Sequence, residues 1–181
     1  MVEDRVLGPT LLKNPIRKLI EPKNRVLKRI SNYIKNGMSV LDLGSGPGYY
    51  TQDLLKMVGE SGKVVAVDPN QKSISELKKL NYNNLMAVVG SATDLKFEDN
   101  SFDFIFSNLL LCCVYNYKKA LDEMIRVLKP NAISYISVSR SFINIKPSIN
   151  VNEWNEVLLK FKVLEARDGF TDRWAVVQLI V

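Results

Sequence analysis

The sequence contains no histidine, and its only two cysteines, Cys112 and Cys113, are adjacent. Without histidine, catalytic triads and acid–base pairs that depend on an imidazole are excluded. Two neighbouring thiols cannot form a disulfide framework, and a zinc site would have to combine them with carboxylates alone. We therefore predict no metal site, and we expect the cysteines to pack near a helix start rather than to line a pocket.

The chain also lacks an apolar run long enough to span a bilayer, and residues 1–5 do not resemble the start of a signal peptide. Its 181 residues, 46% of them apolar, can bury one core but not two. We expect a single soluble, cytoplasmic domain over residues 1–181, without internal repeats or low-complexity segments.

Residues 40–48, Val-Leu-Asp-Leu-Gly-Ser-Gly-Pro-Gly, are the most informative stretch. An apolar run interrupted only by Asp42 predicts a buried parallel strand, and the three glycines that follow predict a sharp turn into a helix near Tyr49. The free amide groups at such a helix start are suited to a cofactor. A dinucleotide fingerprint would need a small residue where Tyr49 stands, and a P-loop would need a Lys-Ser or Lys-Thr pair that is absent.

Three further segments follow in order along the chain. Residues 64–68 predict a second buried strand ending at Asp68, about 20 residues after the glycines, where a carboxylate can accept hydrogen bonds from ribose hydroxyls. Residues 90–108 read G-S-A-T-D-L, then F-E-D-N-S-F-D-F-I-F-S-N, and residues 120–130 read A-L-D-E-M-I-R-V-L-K-P. Together the four motifs resemble those of class I S-adenosylmethionine-dependent methyltransferases, in particular the small ubiquinone- and menaquinone-biosynthesis type.

The resemblance implies S-adenosylmethionine as the cofactor, with the glycine loop against its methionine part. It implies that Asp42 helps to hold the amino end and that Asp68 binds the ribose. Ser91 stands where the family usually has an acid for the adenine amino group, so that contact would come from a hydroxyl or the backbone. The cofactor-binding residues expected on this basis are Asp42, Gly44, Ser45, Gly46, Gly48, Asp68, Pro69, Ser91, Ala92 and Asn108.

Two other positions depart from the family pattern. Asn131 and Ala132 replace the usual Gly-Gly pair, which changes a turn. Cys112 and Cys113 stand where relatives often have a polar pair, so the acceptor pocket is expected to lack those partners.

The predicted fold is α/β, a Rossmann-like open sheet of seven mostly parallel strands with helices on both faces. Strands are expected near residues 40–43, 64–68, 85–89, 102–107, 133–139, 162–167 and 173–180. Helices are expected near 49–58, 71–80, 117–129 and 152–160, and an apolar connection covers 140–151. Because residues 168–172 form a hairpin-like link, the last strand should run antiparallel to the others.

The residues that would assist methyl transfer are less well defined. A general base is needed only if the acceptor is protonated, and without histidine the candidates are acids and tyrosines. Asn108 follows the fourth strand as Asn-Leu-Leu, which disfavours methylation of exocyclic base amines because the two prolines and the aromatic residue of that motif are missing. The candidates for a catalytic role are Asn108, Tyr49, Asp94, Asp172 and Tyr115.

The net charge of +6 lies entirely within residues 1–35, which hold nine basic and three acidic residues. Apolar repeats predict two amphipathic helices there, near 12–20 and 26–34, so residues 1–36 form a basic helical arm on a catalytic core of residues 38–181. The arm is either a solvated surface or a contact for anionic lipid or RNA.

We therefore expect methyl transfer to a small-molecule or lipid-like acceptor. An RNA methyltransferase that uses the basic arm, or a catalytically silent subunit that binds S-adenosylmethionine, are the alternatives. The acceptor atom and the oligomeric state are not predicted.

Overall fold

The computed structural model describes residues 22–140 and 148–180. The first predicted arm helix, near 12–20, and most of the predicted apolar connection therefore lie outside the described residues. The helices are α1 Lys23–Ile30, α2 Thr51–Val58, α3 Gln71–Lys78, α4 Tyr117–Val127 and α5 Val151–Leu158, with a short 3₁₀ turn Leu111–Cys113. The strands are β1 Ser39–Leu43, β2 Lys63–Asp68, β3 Leu85–Val89, β4 Phe102–Asn108, β5 Leu128–Ser139, β6 Phe161–Asp168 and β7 Asp172–Leu179.

All seven strands form one sheet in the order β3-β2-β1-β4-β5-β7-β6. The pairs among β1 to β5 are parallel, whereas β7 is antiparallel to both β5 and β6. The predicted seven-stranded, mostly parallel sheet with an antiparallel last strand is confirmed. Strands β2 and β3 are added on one side of β1, and β4 and β5 are added on its other side. The carboxyl ends of β1 and β4 therefore form the switch point at which open α/β sheets bind ligands.

Helices cover both faces of the sheet, as predicted. On one face, α1 and α2 pack on an aromatic-rich surface of β4, β5 and β7, including Phe104, Phe106, Tyr135 and Trp174. On the other face, α4 and α5 cover the remaining core residues of the same strands. Val26 and Ile30 of α1 are fully buried in the first cluster together with Val40, so the second predicted arm helix packs on the sheet beside the first strand.

Two element boundaries differ from the predicted ones by four residues or more. The strand expected near 133–139 begins at Leu128, and α4 accordingly ends at Val127. The pairing shifts register after Phe102, and Asn131 in this irregular stretch has φ +60°. Asparagine tolerates this left-handed conformation better than most residues do, so it serves where the family usually has glycine. The second boundary is that α1 ends at Ile30, four residues before the predicted end.

Within the described residues, no helix combines the length and the apolar character needed to cross a membrane.

Candidate functional site

The glycine loop leaves β1 and crosses the carboxyl end of β2. Gly44, Gly46 and Gly48 have φ values of +79°, +54° and +89°, so the loop depends on left-handed backbone at three alternate positions. The N–H groups of Gly44 and Ser45 both donate to the Val67 carbonyl, at 2.8 and 3.1 Å. The loop is therefore fixed to the neighbouring strand by its own backbone.

Asp68, the last residue of β2, lies directly beside this loop. Its Oδ2 accepts the N–H of Gly46 at 2.9 Å, and its Oδ1 accepts the N–H of Asn70 at 2.8 Å. Burial raises the pKa of Asp68, and the two N–H donors act in the opposite direction. Each carboxylate oxygen accepts more than one hydrogen bond, so these contacts orient the group without exhausting its capacity to bind hydroxyl groups.

Asp42 lies deeper, in the middle of the sheet. Its Oδ2 accepts a hydrogen bond from the Oγ1 of Thr51 at 2.6 Å, and both residues are buried. Burial raises the pKa of Asp42 to about 7, the Thr51 hydroxyl opposes this shift, and the charge of Asp68 adds to it. Thr51 was not predicted from the sequence, although a hydroxyl residue at the start of the helix after the glycine loop is a usable signal.

Two leucines pack against the glycine loop where any side chain would crowd them. A Cβ on Gly44 would lie 2.9 Å from Cδ1 of Leu110, and one on Gly48 would lie 3.1 Å from Cδ1 of Leu77. Leu77 belongs to α3, and Leu110 follows β4. Gly44 is therefore the point at which the loop after β1 contacts the segment after β4.

Ser91 and Ala92 follow β3 at the same edge of the sheet. The Oγ of Ser91 lies 2.9 Å from the Oγ1 of Thr93 and accepts the Thr93 N–H at 3.2 Å. Ala92 is buried, whereas Pro69, after β2, is exposed. The Ser91 hydroxyl thus stabilises its own turn.

The loop after Ser91 is held by two residues of α4. Glu123 accepts the N–H of Leu95 at 2.7 Å, and Arg126 donates to the carbonyls of Leu95 and Phe97 at 2.9 and 2.8 Å. Arg126 also bonds Glu123 itself, and its guanidinium holds the pKa of Glu123 below the ordinary value. Glu123 and Arg126, three residues apart in the fourth motif, thus hold the loop after β3 from the same helix.

Asn108 ends β4 and is paired in register with Ser137 of β5. The Oγ of Ser137 lies 2.7 Å from Oδ1 of Asn108, and both side chains are buried. The backbone N–H of Leu109 donates to the same Oγ at 3.0 Å. Ser137 was not predicted, because nothing in the local sequence links it to a residue 29 positions earlier.

The two cysteines lie in the 3₁₀ turn after Leu110. The thiols of Cys112 and Cys113 both donate to the Leu109 carbonyl, at 3.4 and 3.5 Å, and Cys112 also accepts the N–H of Ser139. Cys112 belongs to the buried core, and Cys113 is partly exposed. Among the described residues, no group of three or more acidic or cysteine side chains could hold a metal ion.

The acids and tyrosines considered as general bases differ in their exposure and in their contacts. Asp94 is exposed and pairs with Lys96 at 2.7 Å, Tyr115 is 42% exposed, and Asp172 lies 3.9 Å from Arg29. Tyr49 packs edge-on against Tyr50, with ring centroids 4.9 Å apart. Of the candidates for catalysis, Asn108 is the one at the carboxyl end of a central strand and next to the segment that contacts the glycine loop.

Of the five basic residues of the arm that the structure describes, two contact neighbouring acidic or aromatic side chains and three are exposed. Lys23 pairs with Asp53 at 2.5 Å, and the Arg29 guanidinium lies 4.2 Å from the ring centroid of Trp174. Arg29 also donates to the hydroxyl of Tyr135 at 3.0 Å. Arg25, Lys28 and Lys35 are exposed.

Comparisons with known proteins agree with this arrangement. A family described as "Methyltransferase domain" matches residues 34–165. A demethylmenaquinone methyltransferase of Staphylococcus carnosus is 39% identical over 114 residues, which cover 62% of this chain and 46% of that protein. One of Staphylococcus saprophyticus is 35% identical over 113 residues, which cover 61% of this chain and 48% of that protein. The chain thus spans about half the length of the curated relatives it matches.

A solved structure extends the similarity over nearly the whole chain. It is described as a SAM dependent methyltransferase from Aquifex aeolicus and has a TM-score of 0.80 at 26% identity. The match covers 96% of this chain and all of the solved one.

Proposed function

Because this chain belongs to the methyltransferase domain family, we propose that it binds S-adenosylmethionine and transfers the methyl group to a small, lipid-like acceptor. Residues 38–181 form the catalytic core. The observation that carries the proposal is the Asp68 carboxylate, which the N–H groups of Gly46 and Asn70 hold beside the glycine loop.

The residues at this edge fit the cofactor. Asp68 is oriented to accept hydrogen bonds from vicinal ribose hydroxyls, as acids at this place in nucleoside-binding sheets do. The Ser91 hydroxyl is engaged with Thr93, so the backbone around Ala92 is left to contact the adenine. The proposed cofactor-binding residues are Asp42, Gly44, Ser45, Gly46, Gly48, Asp68, Pro69, Ser91, Ala92 and Asn108.

The cofactor supplies an activated methyl group on a positively charged sulfonium. The protein's tasks are then to align the acceptor with the S–CH₃ axis and to exclude water. Leu110 against Gly44 provides apolar cover at the junction of the two segments. Asp42, which is half-ionised near neutral pH because of its raised pKa, becomes fully ionised beside a cation.

The acceptor side of the edge supports an uncharged, apolar acceptor. Ser137 donates to Asn108, the neighbouring Leu109 N–H donates to the same serine, and the Leu109 carbonyl accepts the Cys112 thiol; none of these residues is an aspartate, glutamate, lysine or arginine. The similarity to demethylmenaquinone methyltransferases supports a quinol-like acceptor, a fused aromatic ring with hydroxyl groups and an apolar chain.

The exposed cations of the arm support a second, weaker contact. Arg25 and Lys28 lie on the solvent side of α1, a helix that contains no acidic residue. We propose that the segment of residues 1–35 approaches an anionic lipid surface that holds the acceptor. Vesicle binding that weakens steeply with salt, and weakens further in Arg25→Glu/Lys28→Glu, would support this contact, and Lys72→Glu/Lys78→Glu on α3 is the matched control.

The direct test is methyl transfer from isotopically labelled S-adenosylmethionine to the reduced form of a short-chain demethylmenaquinone. We expect one labelled methyl group on the ring and no label in total RNA supplied as a competing acceptor. Label in RNA alone would favour an RNA methyltransferase instead. Cofactor binding without transfer to either acceptor would favour a silent subunit.

A further inference from the structure

The turn of residues 91–94 lies between two anchored residues. Before the turn, the N–H of Gly90 donates to the backbone carbonyl of Asp68 at 3.2 Å, so the turn begins beside the residue proposed to bind the ribose. After the turn, the buried residue Leu95 is held by side chains of α4. The position of the turn relative to Asp68 therefore depends on the contacts that hold Leu95.

Both backbone groups of Leu95 bond to the same pair of side chains on α4. Glu123 accepts its N–H at 2.7 Å, and Arg126 donates to its carbonyl at 2.9 Å. Within the turn, the N–H of Asp94 donates to the carbonyl of Ser91 at 3.2 Å. Because the turn is closed by its own hydrogen bond, a shift of Leu95 would move it as a unit.

The Arg126 guanidinium uses each of its five N–H groups in these contacts. Two of them, on Nε and Nη2, donate to the two carboxylate oxygens of Glu123 at 2.8 and 2.9 Å. The second N–H of Nη2 donates to Leu95, and the two N–H groups of Nη1 donate to the Phe97 carbonyl and to Asp99, both at 2.8 Å. A lysine carries its three N–H groups on one nitrogen and cannot form this fork.

Resting on the proposed function, we propose that Glu123 and Arg126 are positioning residues that hold the turn of residues 91–94 against the adenine of the cofactor. They act through Leu95 and not by contact with the cofactor. Through the position of the turn, they determine the preference of the site for adenine over other purines.

Recognition through the backbone makes the position of this turn decisive. The Ser91 hydroxyl is bonded to Thr93, so it does not follow the base by rotating as a longer acidic side chain could. A backbone N–H or carbonyl contacts the base only where the turn places it. Hypoxanthine donates from N1 and accepts at its 6-oxygen, whereas adenine accepts at N1 and donates from its amino group, so correctly placed backbone groups reject hypoxanthine.

The experiment measures, by calorimetry, the dissociation constants of S-adenosylhomocysteine and S-inosylhomocysteine, which differ only in the purine. We expect the full-length wild-type protein to prefer the adenosyl compound. Arg126→Lys should reduce this preference about tenfold, because the displaced turn loses its hydrogen bonds to the adenine edge. Asp99→Ala should stay within twofold of wild type, since the Asp99 side chain is 68% exposed and such an ion pair contributes little.

Lys129→Gln is the control for a loss of stability alone. Lys129 pairs with Asp103 at 2.6 Å, and Asp103 accepts the N–H of Ser39, so this contact lies at the amino ends of β1 and β4, opposite the cofactor edge. Thermal unfolding is recorded for every variant, and Lys129→Gln should lower the midpoint without changing the preference for adenine.

A second variant serves if Arg126→Lys does not fold. Glu123→Gln keeps an oxygen for the N–H of Leu95 but offers Arg126 only one acceptor in place of two. It should reduce the preference about threefold, less than Arg126→Lys.

An unchanged preference in the variants of Arg126 and Glu123, or an equal loss of preference in Lys129→Gln, would overturn the positioning role. A wild-type protein that binds both compounds equally would also overturn it, while leaving the methyltransferase assignment intact. A wild-type protein that binds neither S-adenosylmethionine nor S-adenosylhomocysteine would instead overturn the proposed function, and this inference with it.

Discussion

The carboxyl edge of the sheet has two halves with opposite character. The half formed by β1 and β2 contains two buried carboxylates, Asp42 and Asp68, whereas the half formed by β4 and β5 presents an amide and a serine. Buried charges require donors, and Asp42 has one from Thr51 while Asp68 has two, from Gly46 and Asn70. In the neutral half, the hydrogen bond joins two uncharged side chains, Ser137 of β5 and Asn108 of β4. On the proposed function, the charged half suits a polar, cationic cofactor and the neutral half suits an apolar acceptor.

The largest expected effect is the pH dependence of the free energy of unfolding that arises from Asp42 in the charged half. The folded-state pKa of Asp42 is raised from 3.8 to about 7, so its contribution to stability is complete below the unfolded-state pKa and is lost as the pH rises through 7. Between pH 5 and 8, the free energy of unfolding should fall by about 3 kcal/mol relative to Asp42→Asn. Denaturant unfolding of both proteins across this range measures the difference, and parallel curves would contradict the assigned burial effect.

Replacement of Asp68, the proposed ribose-binding residue, should have an effect nearly as large, on cofactor affinity. Asp68→Ala is expected to reduce affinity for S-adenosylmethionine by about 1.5–3 kcal/mol, because charge-assisted hydrogen bonds to both hydroxyl groups are lost. Calorimetry gives the dissociation constants, and Asp122→Ala, on the exposed side of α4, is the control. An unchanged constant in Asp68→Ala would place the ribose elsewhere.

The two halves meet where Gly44 contacts Leu110, and a substitution of Gly44 tests how much this contact contributes to stability. Gly44→Ala should destabilise the protein by about 1–2 kcal/mol because of its left-handed backbone, with an added loss from the contact with Leu110. Gly37 has a similar φ of +86°, but a Cβ there would meet only Ser61, at 3.7 Å. Gly37→Ala therefore measures the effect of the left-handed backbone alone. Equal destabilisation in the two variants would show that Leu110 can move away from the added Cβ at no cost in stability.

The smallest effect is expected at the support of Asp42. Thr51→Val removes the hydroxyl that opposes the raised pKa, and should destabilise the protein by about 1 kcal/mol at pH 8, where Asp42 is ionised. Thr51→Ser keeps the donor and should behave as wild type. A loss of the same size at pH 5 and pH 8 would indicate packing rather than the hydrogen bond.

The charged half could be predicted from the sequence because its signals are local. Glycines at alternate positions, an acid inside an apolar run and another acid at the next strand end all lie within residues 40–68. The mostly parallel sheet and the antiparallel last strand followed from the alternation of helices and strands and from a short hairpin link.

The neutral half and its supports could not be predicted in the same way. Ser137 meets Asn108, and Arg126 meets the loop at Leu95, only because the sheet brings residues about 30 positions apart into contact. The early start of β5 was missed for a different reason. Pro130 and Asn131 resemble a terminating turn, yet the irregular pairing after Phe102 accommodates them within the strand.

Calorimetric titration of the protein with S-adenosylmethionine, S-adenosylhomocysteine, NAD and ATP tests whether this edge of the sheet binds the methyl donor. The glycine loop spacing and Asp68 predict one binding site for each of the first two compounds and no binding of NAD or ATP, with the affinity for the first two weakened by a similar factor in Asp68→Ala. Tight binding of NAD without binding of S-adenosylmethionine would contradict the assignment of this edge as a methyl-transfer site.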